Sequence, residues 1–205
     1  MKSLLNQIEF LSTDPILKPI IKKYGVLKYP KHEDYFKDIV QSIIGQQLSN
    51  KAADTIYRRF TKLLVNEKVT AKNILQLQLA EIRACGTSWA KARSLHDLSQ
   101  KTLDGTLRFS DLEKMSDEAM IEHLVQVKGI GRWSSEMLLM FSFHRPDVFP
   151  LDDRGIQNAF KKHFGLKDGK SLQSKMLNIA KSWQPYRTLA CWYLWKSLDN
   201  KPPYS

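Results

Sequence analysis

Two glycines separated by one residue, Gly129-Ile130-Gly131, lie within the segment Leu124 to Ser135, between an apolar helical stretch and an amphipathic one. Glycine reaches the positive φ angles of a tight turn and lets a main chain come close to a ligand. The N–H groups that open the second helix would point outward with the positive end of its dipole, an arrangement suited to a phosphate. Such a hairpin grips a nucleic-acid backbone without reading its sequence, although most Gly-x-Gly pairs, taken alone, are ordinary helix-helix turns. Further on, Asp147-Val148-Phe149-Pro150-Leu151-Asp152-Asp153 brings two adjacent carboxylates to the start of another helix. Capping and the helix dipole favour acids there. Capping alone, however, would place negative charge beside a basic hairpin where a polyanion must approach. A functional reason for the pair is therefore attractive beside the capping one.

Helical periodicity dominates the elements that must position these groups, with no internal repeat, so the chain reads as all-α. Phe36, Ile39, Val40, Ile43, Ile44 and Leu48 mark one apolar helix face, and Ala52, Ala53, Ile56, Tyr57 and Phe60 mark the next, with Gly45 to Asn50 at their junction. Further helices are predicted around Ser88 to Lys101, Asp117 to Val127, Trp133 to Phe143, Asp153 to His163, Leu172 to Ser182 and Pro185 to Leu198. A strand candidate, Val26 to Tyr29, is short and bounded by proline. Gly105 and the loop from Pro146 to Pro150 are the only seams. The chain therefore reads as a single domain over residues 1–205, with one lobe over roughly 35–130, another over 1–34 plus 131–205, and a site in the cleft between them.

Thirty-two Lys and Arg against 21 Asp and Glu give a formal charge of +11 over 205 residues, which favours a polyanionic partner, nucleic acid ahead of a membrane surface. Lys51, Arg58, Arg59, Lys91, Arg93, Lys161 and Lys162 are interspersed with apolar positions, as on a folded basic face. Cys85 and Cys191 are too few for a disulfide framework or a four-thiolate cluster, which points to a reducing compartment. No apolar run has signal-peptide or membrane-spanning length, which predicts a soluble, unprocessed protein. His32, His96, His123, His144 and His163 have no paired ligand spacing, so no catalytic metal is expected.

From about Tyr35 to Trp195 the sequence resembles the helix-hairpin-helix DNA glycosylase superfamily, and within it the 3-methyladenine DNA glycosylase II branch. The resemblance rests on five blocks in family order: Ile43-Ile44-Gly45-Gln46-Gln47-Leu48-Ser49-Asn50-Lys51-Ala52-Ala53, Gly86-Thr87-Ser88-Trp89-Ala90-Lys91, Gly129-Ile130-Gly131-Arg132-Trp133, Phe149-Pro150-Leu151-Asp152-Asp153, and Trp183-Gln184-Pro185-Tyr186-Arg187. It implies a two-lobed helical fold with the active site between lobes. Asp153 matches the catalytic aspartate and Asp152 its less essential neighbour. Where strand-cutting relatives carry a lysine that attacks the sugar, this chain has Trp133, which implies a monofunctional enzyme using water and without abasic-site lyase activity. Leu48 matches the wedge that fills the gap left by an extruded base, with Gln47 and Ser49 beside it in the minor groove. Trp195 matches an aromatic wall of the base pocket, which Trp133 would share, and cation–π stacking there would favour a positively charged purine. Trp89, Trp183 and Trp192 are weaker candidates.

The hairpin contacts implied for the DNA backbone come from Gly129, Gly131, Arg132, Trp133 and Ser134. No cofactor is required. A structural Na+ or K+ at the hairpin, on main-chain oxygens of Val125, Val127 and Gly129, is an optional feature that the resemblance implies. The sequence departs from some relatives at Met137 and Arg154, where they carry tyrosine, and these positions shape the pocket; the N-terminal β domain of many relatives has no room before the Gln46-Gln47-Leu48 block.

The resemblance implies an N-glycosyl hydrolase of base excision repair that flips alkylated purines of the 3-methyladenine and 7-methylguanine type from duplex DNA and leaves an abasic site. It would act as a monomer, away from membranes, in the bacterial cytoplasm at the nucleoid or in a eukaryotic nucleus. Two other readings stay open on the residues alone. One is a non-catalytic binder of damaged or distorted DNA, which would have no need of Asp153 and Trp195 together. The other is a glycosylase for mismatched, oxidised or deaminated bases, which the hairpin and aspartate would serve equally.

Overall fold

The structure, a computed structural model, describes residues 4–27 and 34–198. Among them all regular structure is helical. The order is α1 (Leu4–Leu11), α2 (Leu17–Tyr24), α3 (Tyr35–Gly45), α4 (Asn50–Thr61), α5 (Ala71–Gln76), α6 (Leu79–Ala84), α7 (Trp89–Leu103), α8 (Phe109–Leu112), α9 (Asp117–Leu124), α10 (Arg132–Phe141), α11 (Arg154–Phe164), α12 (Leu172–Ala180) and α13 (Arg187–Ser197). Val26 and Leu27 are irregular; Lys28 and Tyr29, the rest of the strand candidate, and His32 lie outside the described residues.

Local chemistry sets the boundaries. Asp34, Ser49, Thr70, Ser88, Ser116 and Asp153 each accept a main-chain N–H three residues on, satisfying donors that the helix itself leaves unpaired. Gly165 ends α11 in the left-handed region at φ 65°. Two expected helices are shorter than their apolar patterns. The α3 helix stops at Gly45, so Leu48 falls in the following turn, and α9 stops at Leu124, releasing Val125 to Val127 into the hairpin. The last helix starts at Arg187 rather than Pro185.

The chain divides into two compact units, Met1–Pro30 with Leu139–Ser205, and Lys31–Leu138, the boundary falling inside α10. In the first unit α13 is buried along nearly its whole length, from Thr188 to Trp195, as an element packed on all sides must be. The α2 helix lies against it through Leu17, Ile20 and Ile21, and the Tyr193 hydroxyl donates to the Gly25 carbonyl at 2.8 Å. Beside α13, Phe149, Phe160, Phe164 and Trp183 form an aromatic cluster with ring centroids 4.9–6.4 Å apart. The Trp183 indole donates to Asp14 Oδ2 at 2.8 Å, so this tryptophan belongs to the core.

In the second unit α3 packs on α4 and α7, and α7 on α5 and α6. Ile39, Val40, Ile43 and Ile44 of α3 and Ala92, Leu95 and Leu98 of α7 are all at most 1% exposed. This core presents the turn after α3 and the hairpin between α9 and α10.

Candidate active site and nucleic-acid interface

In the first unit, the loop before α11 and the helix α13 bring Asp153 and Trp195 together. Asp153 is 8% exposed. Its Oδ1 accepts the Ile156 N–H at 2.8 Å, as the cap of α11, and the Trp195 Nε1–H at 2.8 Å. Asp152, its neighbour in sequence, is exposed and accepts the Gln173 amide at 2.7 Å. The two carboxylates therefore occupy different environments, one fixed and buried, the other solvated.

The loop carrying Asp153 is tied to the start of α13. Arg187 donates through Nε to Asp147 Oδ1 at 2.7 Å and through a terminal nitrogen to Oδ2 at 2.8 Å and to the Asp147 carbonyl at 3.0 Å. The forked guanidinium fits a carboxylate in two-point fashion. Thr188 accepts the Val148 N–H at 3.0 Å and donates to the Arg145 carbonyl at 2.6 Å. These bonds set the register between the segment that ends at Asp153 and the helix that carries Trp195.

In the second unit, Gly129 has φ +81° and a Cβ there would run into Ser94 Oγ, so both the backbone and the packing favour glycine. Gly131 has neither constraint: a Cβ would meet nothing within 4 Å. Gly131 directly precedes α10, whose first N–H groups, as in any helix, lack partners within the helix. Asp97 of α7 holds the loop from behind. Its Oδ2 accepts the Lys128 N–H at 2.8 Å and the Lys101 ammonium at 2.6 Å. Burial alone would push this carboxyl up, but the bonds from Lys101 and Lys128 and their charges outweigh it and hold the group below the usual aspartate range.

Arg132, expected on the DNA backbone, makes a two-point pair with Glu118 of α9 at 2.7 and 2.8 Å and reaches Glu136 at 3.3 Å. The Glu118 bond, ahead of the opposing effect of burial, raises the guanidinium further above its ordinary value. The pair joins the two helices that flank the hairpin. Ser134 is 7% exposed and its hydroxyl accepts from Gln46 at 3.3 Å, so its main-chain N–H is the part suited to a phosphate.

The turn after α3 is anchored to that hairpin. Gln46 donates through Nε2 to the Gly129 carbonyl at 2.9 Å. The Lys91 ammonium, whose basicity burial lowers, donates to the carbonyls of Ile44 and Gln46 at 2.8 and 2.7 Å. Between these anchors Gln47 takes φ +57°, a left-handed conformation that costs a non-glycine residue energy. Leu48 follows at 39% exposure, and Ser49 caps α4 through the Ala52 N–H. The apolar side chain of Leu48 is thus displayed by a braced turn, not packed on the α3 face.

Of the aromatic candidates, Trp133 is half-buried, Trp195 is 3% exposed and Trp89 is 50% exposed at the start of α7. Met137 is 0% exposed. Among the described residues no cluster of three or more His, Cys, Asp or Glu side chains is placed to hold a metal ion. Of the hairpin oxygens of Val125, Val127 and Gly129, two already accept a hydrogen bond: Val127 O from the Ile130 N–H at 3.0 Å and Gly129 O from Gln46. Sequence reading missed Gln46, Lys91, Asp97 and the Asp147–Arg187 pair as holders of the site. Lys91, Gln46 and Arg187 stood inside the blocks of resemblance, which was the available signal; Asp97 had none.

The model of the HhH-GPD superfamily of base excision DNA repair proteins matches residues 40–185. The chain belongs to that superfamily. Among relatives, it is 35% identical over 185 residues to DNA-3-methyladenine glycosylase 1 of Schizosaccharomyces pombe, covering 88% of this chain and 80% of that one. It is 36% identical to the putative DNA-3-methyladenine glycosylase YfjP of Bacillus subtilis, covering 88% of this chain and 62% of that protein's length. The solved S. pombe 3-methyladenine DNA glycosylase in complex with abasic DNA superposes with a TM-score of 0.81 at 33% identity, over 98% of this chain and 99% of that one. The all-helical HhH-GPD fold and the branch read from the sequence both stand. No described helix is long and apolar enough to cross a membrane.

Proposed function

We propose that this HhH-GPD protein is a monofunctional glycosylase that hydrolyses the N-glycosidic bond of alkylated purines, of the 3-methyladenine and 7-methylguanine type, in duplex DNA. The observation that carries the reading is the Asp153 carboxylate, 8% exposed and oriented by two N–H donors on one oxygen. The names of the 33–36% identical relatives and the DNA-bound S. pombe structure support the same substrate class.

The N–H groups at the start of α10, beyond Gly129 and Gly131, take a phosphate of the backbone. Unstacking a nucleotide costs a few kcal/mol, least for a damaged base, and Leu48, flanked by Gln47 and Ser49, fills the gap it leaves. Trp133, half-buried, offers the face on which an electron-poor purine stacks. The C1′–N bond then breaks with both electrons leaving on the purine, which departs neutral from a cationic alkylpurine and so needs no strong acid. Positive charge grows on the sugar, and the Asp153 carboxylate stabilises it. A water oxygen bonds to C1′ and gives up its proton to the carboxylate or to solvent. An indole has no amine to attack C1′, so Trp133 leaves an intact abasic strand.

A Na+ or K+ on the oxygens of Val125, Val127 and Gly129 would share two of them with existing N–H donors, and no step depends on it. The protein works as a monomer wherever chromosomal DNA lies. The test is to incubate purified protein with methylated duplex DNA and separate released bases by chromatography while scoring strand breaks. Free alkylpurines without breaks are expected. Breaks without added base or lyase contradict the use of water, and binding without release favours a non-catalytic damage binder.

A further inference from the structure

Gly155 stands at the second position of α11 with ordinary helical backbone, where alanine would favour the helix more. No turn or positive φ requires a glycine there. A Cβ at this position would lie 2.8 Å from both Cδ1 and Nε1 of Trp195 and 2.9 Å from Asp153 Oδ1. The space a methyl group would fill is therefore occupied by the N–H edge of the indole as it meets the carboxylate. Phe141 stacks alongside the Trp195 ring, 6.0 Å away at 28°, and stacks in turn on Trp192 at 5.0 Å and 22°. The indole is held with its edge, and not a freely presented face, directed at Asp153.

We infer that Trp195 is a positioning residue for the Asp153 carboxylate, and that Gly155 is the opening in α11 through which its indole N–H reaches Oδ1. This rests on Asp153 being the group that faces the sugar. The Ile156 N–H and the Trp195 Nε1–H, on the same oxygen, fix the plane of the carboxylate, and displacing a reacting group by about an ångström costs a large factor in rate. Trp195 then acts on every lesion alike, because it works through Asp153 and not through recognition of the base.

Trp195→Phe keeps an aromatic ring and removes the donor, and Gly155→Ala keeps the donor and pushes it away. Single-turnover release of 3-methyladenine and 7-methylguanine from one methylated DNA sample reports both rate and selectivity. Release by Trp195→Phe is expected to fall on the order of tenfold to a hundredfold, with the ratio of the two bases and the affinity for abasic duplex unchanged. Gly155→Ala is expected to do the same while remaining folded by thermal denaturation. A Trp195→Phe protein with wild-type rates overturns the inference, as does a loss confined to one base or matched by weaker abasic-DNA binding, which would make Trp195 a wall of the pocket. If Gly155→Ala unfolds, Trp195→Phe decides alone. Asp153→Asn, run beside them, separates the cases: an active Asp153→Asn removes the underlying reading, whereas an inactive one beside an active Trp195→Phe removes only the role of Trp195.

Discussion

Leu48 illustrates how a single residue changes meaning once its surroundings are known. Its spacing from Ile44 continues the apolar face of the preceding helix, and periodicity alone cannot separate a core leucine from an exposed one. The helix ends three residues earlier, at Gly45, and the strained Gln47 turns the chain so that Leu48 is 39% exposed. Leu48→Ala is expected to leave folding intact and to weaken binding to abasic duplex by about tenfold, the loss of one desolvated leucine side chain; a titration giving unchanged affinity would remove its role as a wedge. The carboxylates were legible as a pair, because acids opening a helix near a phosphate-seeking hairpin demand an explanation. Their division of labour was less so. It depends on Gln173 meeting Asp152 and on Trp195 meeting Asp153, contacts between residues more than twenty positions apart.

At the scale of elements, long amphipathic helices were readable from their period and caps, whereas α5, α6 and α8, of six, six and four residues, are too short to show one. The bracing between elements was not readable at all. Arg187 and Asp147 are each about a quarter exposed, and three bonds from one guanidinium hold the Asp153 loop to α13. Arg187→Met is expected to cost roughly 1.5–3 kcal/mol, measured by urea denaturation, and to slow base release; a change below about 0.5 kcal/mol, the size of an ordinary surface substitution, would contradict the clamp. Asp97 makes a pH-dependent prediction. Its carboxyl titrates lower in the folded chain than in the unfolded one, so the stability it contributes is present above the unfolded value near 3.9 and is lost as pH falls through the folded value. The stability difference between wild type and Asp97→Asn is therefore expected to be constant from about pH 5 upward and to shrink in more acid solution. A difference independent of pH down to the acid transition would show that Asp97 does not carry its charge into the hairpin.

At the scale of the whole molecule, the excess of 32 basic over 21 acidic side chains already selected a polyanion, and the five blocks in order selected the family. Composition does not say how many of those charges meet DNA. Of the two basic residues that flank the hairpin glycines, Arg132 is paired with Glu118 and Glu136, whereas Lys128 is 74% exposed and 3.8 Å from Asp97. On the proposed reading the hairpin grips through main-chain N–H groups, and exposed basic side chains supply the counterion release. Affinity for undamaged duplex is expected to fall with salt along a log–log slope on the order of −3, as for about three neutralised phosphates; a slope near zero would contradict a basic DNA-binding face. The most direct measurement of all is base release from methylated duplex by Asp153→Asn protein, with its DNA affinity determined alongside. Asparagine caps a helix as well as aspartate does, so α11 should hold. Release is expected to vanish while binding persists, and release at a near-normal rate would contradict the assignment of the chemistry to Asp153.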